Sequence, residues 1–380
     1  MGQERALMAI GMKETDKLLL FNSMEDESVI ERITGTNLRD FIDPKEKMRV
    51  IYSALDSDLL YQLGVRLDVI WNDKPAELGE GSFDNLKRDF PYTDAFDVAY
   101  KDLKLRRTPS ATQLWVIDRP FKTYSELLNY LKHYDPRSDE PRSAKEIATE
   151  YKRVHQVYQQ ILNGVSLVAG EFYLTLFTYL DIHIGLTLVS RMARQNPEVL
   201  DGLLTEYAEV ARKHVEAWSM TGIKVFVSHD DIAWRGGLFF PTEWFKDHVV
   251  PLWKSIWTPI KEKGIKLIFV SDGDYRPLMD DIVQAGADGF HIEWDPRLPH
   301  DAMQALAEKY ARGKILIIHP SYEIMNYGDP TQAESEARWI ASLAREYPAI
   351  FLADVPGKKE NIEAFYRKWF SLRTRPKIQI

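Results

Sequence analysis

Histidines and acids recur in this sequence at the ends of short apolar runs. KVFVSHDD (224–231) ends in His229, Asp230 and Asp231, and KLIFVSDGD (266–274) ends in Asp272 and Asp274. GFHIEW (289–294) carries His291 and Glu293, KILIIHP (314–320) carries His319, and VSLVAGEF (165–172) ends at Glu171 and Phe172. Gathered on one rim, such carboxylates repel one another unless a cation, a proton or an arginine compensates them. Asp272, Glu293 and His319 belong to three successive runs. One imidazole and two carboxylates can hold zinc or another divalent ion with a position left open. His291 is two residues from Glu293, so on a strand the two share a face, and His291 can replace a ligand or orient one from behind. His229, Asp230 and Asp231 are the candidates for moving protons.

Substrate contacts are expected from Trp71, Glu171, Phe172, Arg235 and His291. Arg235 precedes Gly236-Gly237, a pair that permits a tight loop, and it can hold a carboxylate or neutralise Asp230 and Asp231. Trp71, Phe172, Tyr173, Tyr179, Trp234 and Trp294 can wall a pocket for a flat ligand, or be ordinary packing. Asp230, Asp274 and Asp354 can equally be helix N-caps, a common duty for an acid just after a strand. The alternative to a metal is a hydrogen-bonded polar network lining a pocket.

A shared rim requires strands whose C-terminal ends come together. LDVIW (67–71), QLWVID (113–118) and AIFLADVP (349–356) join the five runs above to give eight, with long amphipathic stretches between them. Near-continuous apolar runs suit parallel strands buried on both faces. The α/β alternation predicts a (β/α)8 TIM barrel with extra N-terminal helices and loops; a doubly wound sheet is the competing architecture. Residues 1–60 read as N-terminal helical decoration and 61–380 as the barrel, one structural domain overall. Pro241 opens a helix that Gly264 ends, and Gly286 and Gly313 close two more. Residues 75–109 read as further decoration, and 133–146 as an exposed loop.

At 380 residues with 45% hydrophobic and 28% charged, the chain can bury one large core. A formal net charge of -8 argues against a nucleic-acid partner. The absence of cysteine removes disulfides, thiolate nucleophiles and thiolate metal sites. No signal-peptide pattern and no membrane-spanning apolar run is evident, so the expectation is a cytoplasmic protein that meets no membrane.

DDIAWRGGLFFPTEWFKDHVVPLWKSI, KGIKLIFVSDGDYRPLMDDIVQAGADGFHIEW and PGKKENIEAF together resemble the uroporphyrinogen decarboxylase superfamily. The second segment is the most specific, with its strand, Ser-Asp-Gly turn, short helix and Ala-Gly-Ala-Asp-Gly. The resemblance covers a little over half the chain. It implies the barrel and one of three activities: decarboxylation of uroporphyrinogen, zinc-dependent methyl transfer with cobalamin or corrinoid proteins, or transfer from aryl methyl ethers in O-demethylase systems. The Arg-Gln-Ala-Gly-Arg motif of true uroporphyrinogen decarboxylases is missing. The His-x-Cys pair of the thiol-activating methyltransferases falls at Val270 and Asp272, and their later Cys near Asp354, so a thiolate zinc site is impossible here. What remains is similar to the aryl-ether branch, whose metal is held without cysteine.

The expected function is therefore methyl transfer from a small, aryl methyl ether-like donor to a corrinoid on a partner protein. Asp272, Glu293 and His319 would bind the metal, while His229, Asp230 or Asp231 would handle protons. A homodimer is admitted. The alternatives are a metal-free decarboxylase or lyase of the same superfamily, with Arg235 on the substrate carboxylate, and a non-catalytic barrel subunit.

Overall fold

Eight short parallel strands pair into a ring: β1 (Leu19–Leu20), β2 (Leu59–Tyr61), β3 (Leu167–Phe172), β4 (Val225–His229), β5 (Lys266–Ser271), β6 (Gly289–Ile292), β7 (Ile315–Ile318) and β8 (Ile350–Leu352). Their hydrogen-bonded order is β1-β8-β7-β6-β5-β4-β3-β2. A parallel bridge between Phe21 and Leu59 joins the two ends and closes the barrel. This is a computed structural model, and it describes residues 2–21, 27–61, 80–82, 86, 96–107, 114–292, 299–353 and 357–374.

The strands are buried on both faces, which is why they read as unbroken apolar runs. Leu19, Leu59, Ala169, Val227, Val270 and Ile317 meet inside the barrel. Their alternates Leu20, Phe226, Phe269, Phe290, Leu316 and Leu352 pack under the surrounding helices. Each fully buried Val, Leu, Ile or Phe side chain among them contributes roughly 1.5–3 kcal/mol.

Two expected strands differ. QLWVID is not in the barrel: Leu114–Asp118 pairs antiparallel with Lys104–Arg107, which pairs in turn with Glu80–Ser82. Trp115 and Ile117 are exposed while Leu114 and Val116 are half-buried, the one-sided burial of an antiparallel sheet. LDVIW (67–71) lies outside the described residues. The first two barrel strands instead come from KLLLF and DLLY, at and before the end of the stretch read as decoration. With two and three residues they are too short to show periodicity. Asp58 knits them in place. Its carboxylate accepts from Leu20 N at 2.8 Å, Arg5 Nε at 2.7 Å and Arg373 Nη2 at 2.5 Å.

The helices follow their punctuation. Ser143 with Glu146 caps Ala144–Leu162, and Asp329 with Gln332 caps Pro330–Glu346, each in a reciprocal capping box. Gly264 ends its helix with φ of 66° and Gly286 ends Met279–Ala285 with φ of 134°. The single helix expected from Pro241 is two, Thr242–His248 and Val250–Glu262. Pro251 denies the backbone a donor and restricts Val250, so the chain starts a new helix there. No helix among the described residues is long and apolar enough to cross a membrane.

Candidate active site at the mouth of the barrel

The inward positions of the strands run straight into the polar residues at their C-terminal ends. Val227 continues to His229 and Asp231, Val270 to Asp272, Ile317 to His319, and Ala169 to Glu171; Leu59 continues to Tyr61. Register puts His229 beside Val270, and Val270 beside His291. A side-chain period of two therefore sends all of these residues into the mouth.

His229 and Asp231 form one pair, with Nε2 and Oδ1 3.1 Å apart. Asp231 Oδ1 also accepts the Asp272 N–H at 3.1 Å, and Asp231 N donates to Thr178 Oγ1 at 2.6 Å. Burial pushes the Asp231 carboxyl up, but the His229 charge and these hydrogen bonds outweigh it and hold the group below the usual carboxylate range. The Tyr173 ring lies 4.2 Å from the His229 ring and stacks on Phe96 at 5.8 Å.

His291 and His319 form the second pair. Their Nε2 atoms stand 2.6 Å apart and their rings are within 9° of parallel. On its other side His291 Nδ1 is hydrogen-bonded to the Tyr61 hydroxyl. Burial, then the neighbouring His319 and His229, pushes the pKa of His291 well down, which keeps it neutral near pH 7.

Two expected site residues sit on the other side of the wall. Asp230 has outward parity and is fully buried. It accepts Thr178 N at 2.8 Å and Trp253 Nε1 at 2.8 Å, so it anchors the helix Phe177–His183 rather than facing the mouth. Phe172 is also outward and fully buried. It stacks on His214 at 5.1 Å and is packing, not a pocket wall. Tyr179 is likewise packing, stacked on Tyr207 at 3.7 Å.

Glu171 is inward and buried. Arg235 is exposed on the turn between Ala233–Trp234 and Gly237–Leu238. Trp234 beside it is 59% exposed. Asp274 is clasped by Arg276 through two bonds of 2.7 Å. Trp71, Glu293, Trp294 and Asp354 lie outside the described residues.

The expected triad of Asp272, Glu293 and His319 is thus visible only through Asp272 and His319. Among the described residues, no three histidines and acids come together in a metal-holding group. The two histidines offer nitrogen donors of the type a divalent cation takes, but as a hydrogen-bonded pair rather than as a ligand set. Two Nε2 atoms facing at 2.6 Å share room for a single proton, whereas imidazole nitrogens on a tetrahedral zinc stand about 3.3 Å apart, a separation within reach of side-chain adjustment.

Tyr61 is a mouth residue that the sequence did not point to, and Asp181, on the helix Phe177–His183, feels the charge of Asp231. Tyr61 ends the run DLLY, whose apolar signal is too short to announce a strand. Asp181 had none: it lies one turn after Thr178, the residue whose hydroxyl meets Asp231 N. Burial raises the Asp181 pKa against the nearby Arg119, and the Asp231 charge adds to the rise. Arg119 ties this helix end down through the carbonyls of Ile182 at 3.0 Å and His183 at 3.2 Å.

Residues 125–337 match the family described as Uroporphyrinogen decarboxylase (URO-D). That span is more than half of the chain and holds every mouth residue from Glu171 to His319. The chain belongs to the uroporphyrinogen decarboxylase family. This URO-D barrel is similar to the solved structure of a methyltransferase from Methanosarcina mazei, with 13% identity and a TM-score of 0.59, over 97% of this chain and 98% of that one. It also matches xylanase 10B from Thermotoga petrophila RKU-1 in complex with xylobiose, at 11% identity, TM-score 0.40, and 94% and 85% coverage. A sugar phosphate isomerase/epimerase from Parabacteroides distasonis ATCC 8503 matches at 11% identity, TM-score 0.31, and 59% and 74% coverage. At 13% identity the likeness to the methyltransferase is one of fold. No curated protein matches the sequence.

Proposed function

We propose that this URO-D family protein is a methyltransferase that moves a methyl group from a small donor, an aryl methyl ether, to a corrinoid carried by a partner protein, with help from a divalent metal such as zinc. The observation that carries the reading is the pairing of His229 with Asp231 beside the facing imidazoles of His291 and His319 in one barrel mouth. The fold shared with the Methanosarcina mazei methyltransferase supports it.

In this reading the carbon–oxygen bond breaks with both electrons left on oxygen, and the methyl group passes to the reduced corrinoid. The developing oxyanion is the charge that must be stabilised. A divalent cation, when bound, supplies Lewis-acid polarisation of that oxygen. His291 and His319 would hold it, with Asp272 and Glu293 as the carboxylate candidates. His229 gives a proton to the departing oxygen, and Asp231 holds its ring and balances its charge. Tyr173 shields one side of His229 from water, and Arg235 and Trp234 orient the donor at the rim.

A second reading, a metal-free decarboxylase or lyase, is favoured by Asp181, because a carboxyl with a raised pKa is a ready acid. The deciding experiment gives the zinc-loaded protein 2-methoxyphenol and chemically reduced free cobalamin and follows the cobalamin spectrum. Methylation that disappears in His319→Ala and His229→Ala supports methyl transfer. No methylation, together with carbon dioxide release from an aromatic carboxylate by the metal-free protein, would replace it with the second reading.

A further inference from the structure

His291 on β6 and His319 just after β7 face each other in the mouth, with their Nε2 atoms 2.6 Å apart. The chain downstream of both is held from behind the wall by one carboxylate. Glu336, on the helix Pro330–Glu346, is only 2% exposed. Its Oε1 accepts the Ser321 N–H at 2.9 Å. Its Oε2 lies 2.7 Å from Nε2 of His300, the first residue of the helix His300–Tyr310 that follows β6. An ionised carboxylate can only accept, so His300 donates. The His300 ring is stacked on Trp339, one turn along from Glu336, at 3.8 Å and within 9° of parallel. Burying a charge is unfavourable unless hydrogen bonds compensate it. Here both compensating bonds come from the segments that leave β6 and β7.

The connection from Ser321 to His319 is stiff. The pairing of β7 with β8 ends at Ile318, whose carbonyl takes the Ala353 N–H at 2.8 Å. His319, Pro320 and Ser321 then lead out of the strand. Pro320 is buried. Its ring fixes its own φ and restricts the backbone of His319 before it. A link with so few free torsions carries any displacement of Ser321 back to His319. Anchoring the Ser321 N–H therefore fixes where the His319 ring stands.

We propose that Glu336 is a positioning residue: through Ser321 it sets His319 within hydrogen-bonding reach of His291, and through His300 it ties the chain beyond β6 to the same point. This rests on the reading above that the two histidines work in the mouth.

The test uses the full chain as wild type, Glu336→Ala, Glu336→Asp, Glu336→Gln, His319→Ala and Asp329→Ala. The N–H shared by His291 and His319 is followed as a downfield proton signal in NMR, assigned by its loss in His319→Ala. The methylation assay above is run on each protein. Glu336→Ala should displace or broaden the signal and lower the methylation rate by on the order of 10²-fold. Glu336→Asp, which keeps the charge but draws it back by one methylene, should do the same. Glu336→Gln keeps an acceptor for the Ser321 N–H and should recover most of both. Asp329→Ala removes the N-cap of the same helix. It should lower the melting temperature yet leave signal and rate unchanged, which separates positioning from lost stability. An unchanged signal in Glu336→Ala, or in Glu336→Asp if Glu336→Ala does not fold, overturns the proposal. So does a wild type without the signal, a Glu336→Gln protein as impaired as Glu336→Ala, or loss of the signal in Asp329→Ala. A wild type that methylates nothing overturns the functional reading instead, and the signal alone then decides the role of Glu336.

Discussion

Asp230 and Asp231 are adjacent in sequence and serve opposite faces of the barrel wall. Asp230 turns outward, and its carboxylate is taken up by Thr178 and Trp253. Asp231 turns inward to His229 and the Asp272 N–H. The one-residue step along a pleated strand separates an anchor from a mouth residue, and the two should respond oppositely to substitution.

Asp231→Asn should lower the methyl-transfer rate by on the order of 10²-fold, since His229 loses the charge that supports its protonated form. The melting temperature should move little. A rate within twofold of wild type would remove His229–Asp231 from the chemistry.

Asp230→Ala should instead destabilise the fold by about 3 kcal/mol, because it strands buried donors on Thr178 and Trp253. Urea denaturation measures this. Below the unfolding transition, the specific activity per folded molecule should stay near wild type.

Glu140 offers a pH prediction away from the mouth. Burial pushes its carboxyl up, but Arg142 and His214 more than offset this and bring it to about 2. Arg142 Nη2 lies 2.5 Å and His214 Nε2 3.1 Å from Glu140 Oε2. A depressed folded pKa stabilises the fold above the unfolded pKa, and that contribution is lost as pH falls through the folded one. The shift is worth on the order of 3 kcal/mol. Wild type should lose it between about pH 5 and pH 2, seen as a falling urea midpoint. Glu140→Gln should start lower and show a flatter profile across that window.

Gly273 has φ of 75°, and a Cβ there would lie 2.6 Å from the Trp234 backbone. Gly273→Ala should therefore cost about 1–2 kcal/mol from the left-handed backbone alone and displace the hairpin that carries Trp234 and Arg235. A raised KM for the donor with a smaller change in kcat is expected from steady-state kinetics. Unaltered KM would show that the hairpin does not meet the donor.

Asp58→Asn should cost about 3–5 kcal/mol, because Arg5 and Arg373 lose their buried counter-charge. Thermal melting should show it, along with faster proteolysis at both chain ends, since Asp58 joins the first helix, β1 and Arg373.

The sequence by itself determined β3 to β8. A strand buried on both faces must be apolar throughout, and helix caps such as Ser143 and Gly286 are local chemistry that needs no distant partner. It also determined which residues end those strands, and so brought His229, Asp231, His291 and His319 under suspicion together. Only the tertiary structure decided the rest. β1 and β2 are strands because Asp58 and the neighbouring barrel edges complete their hydrogen bonds, not because two or three residues favour that shape. QLWVID has strand propensity, yet its partner is Lys104–Arg107, a choice set by long-range pairing. Asp230 and Phe172 differ from their inward neighbours by parity alone, which appears only once the strand has a barrel to face. The Tyr61–His291 contact joins residues 230 positions apart; local sequence carries no record of a contact made solely by closing the ring.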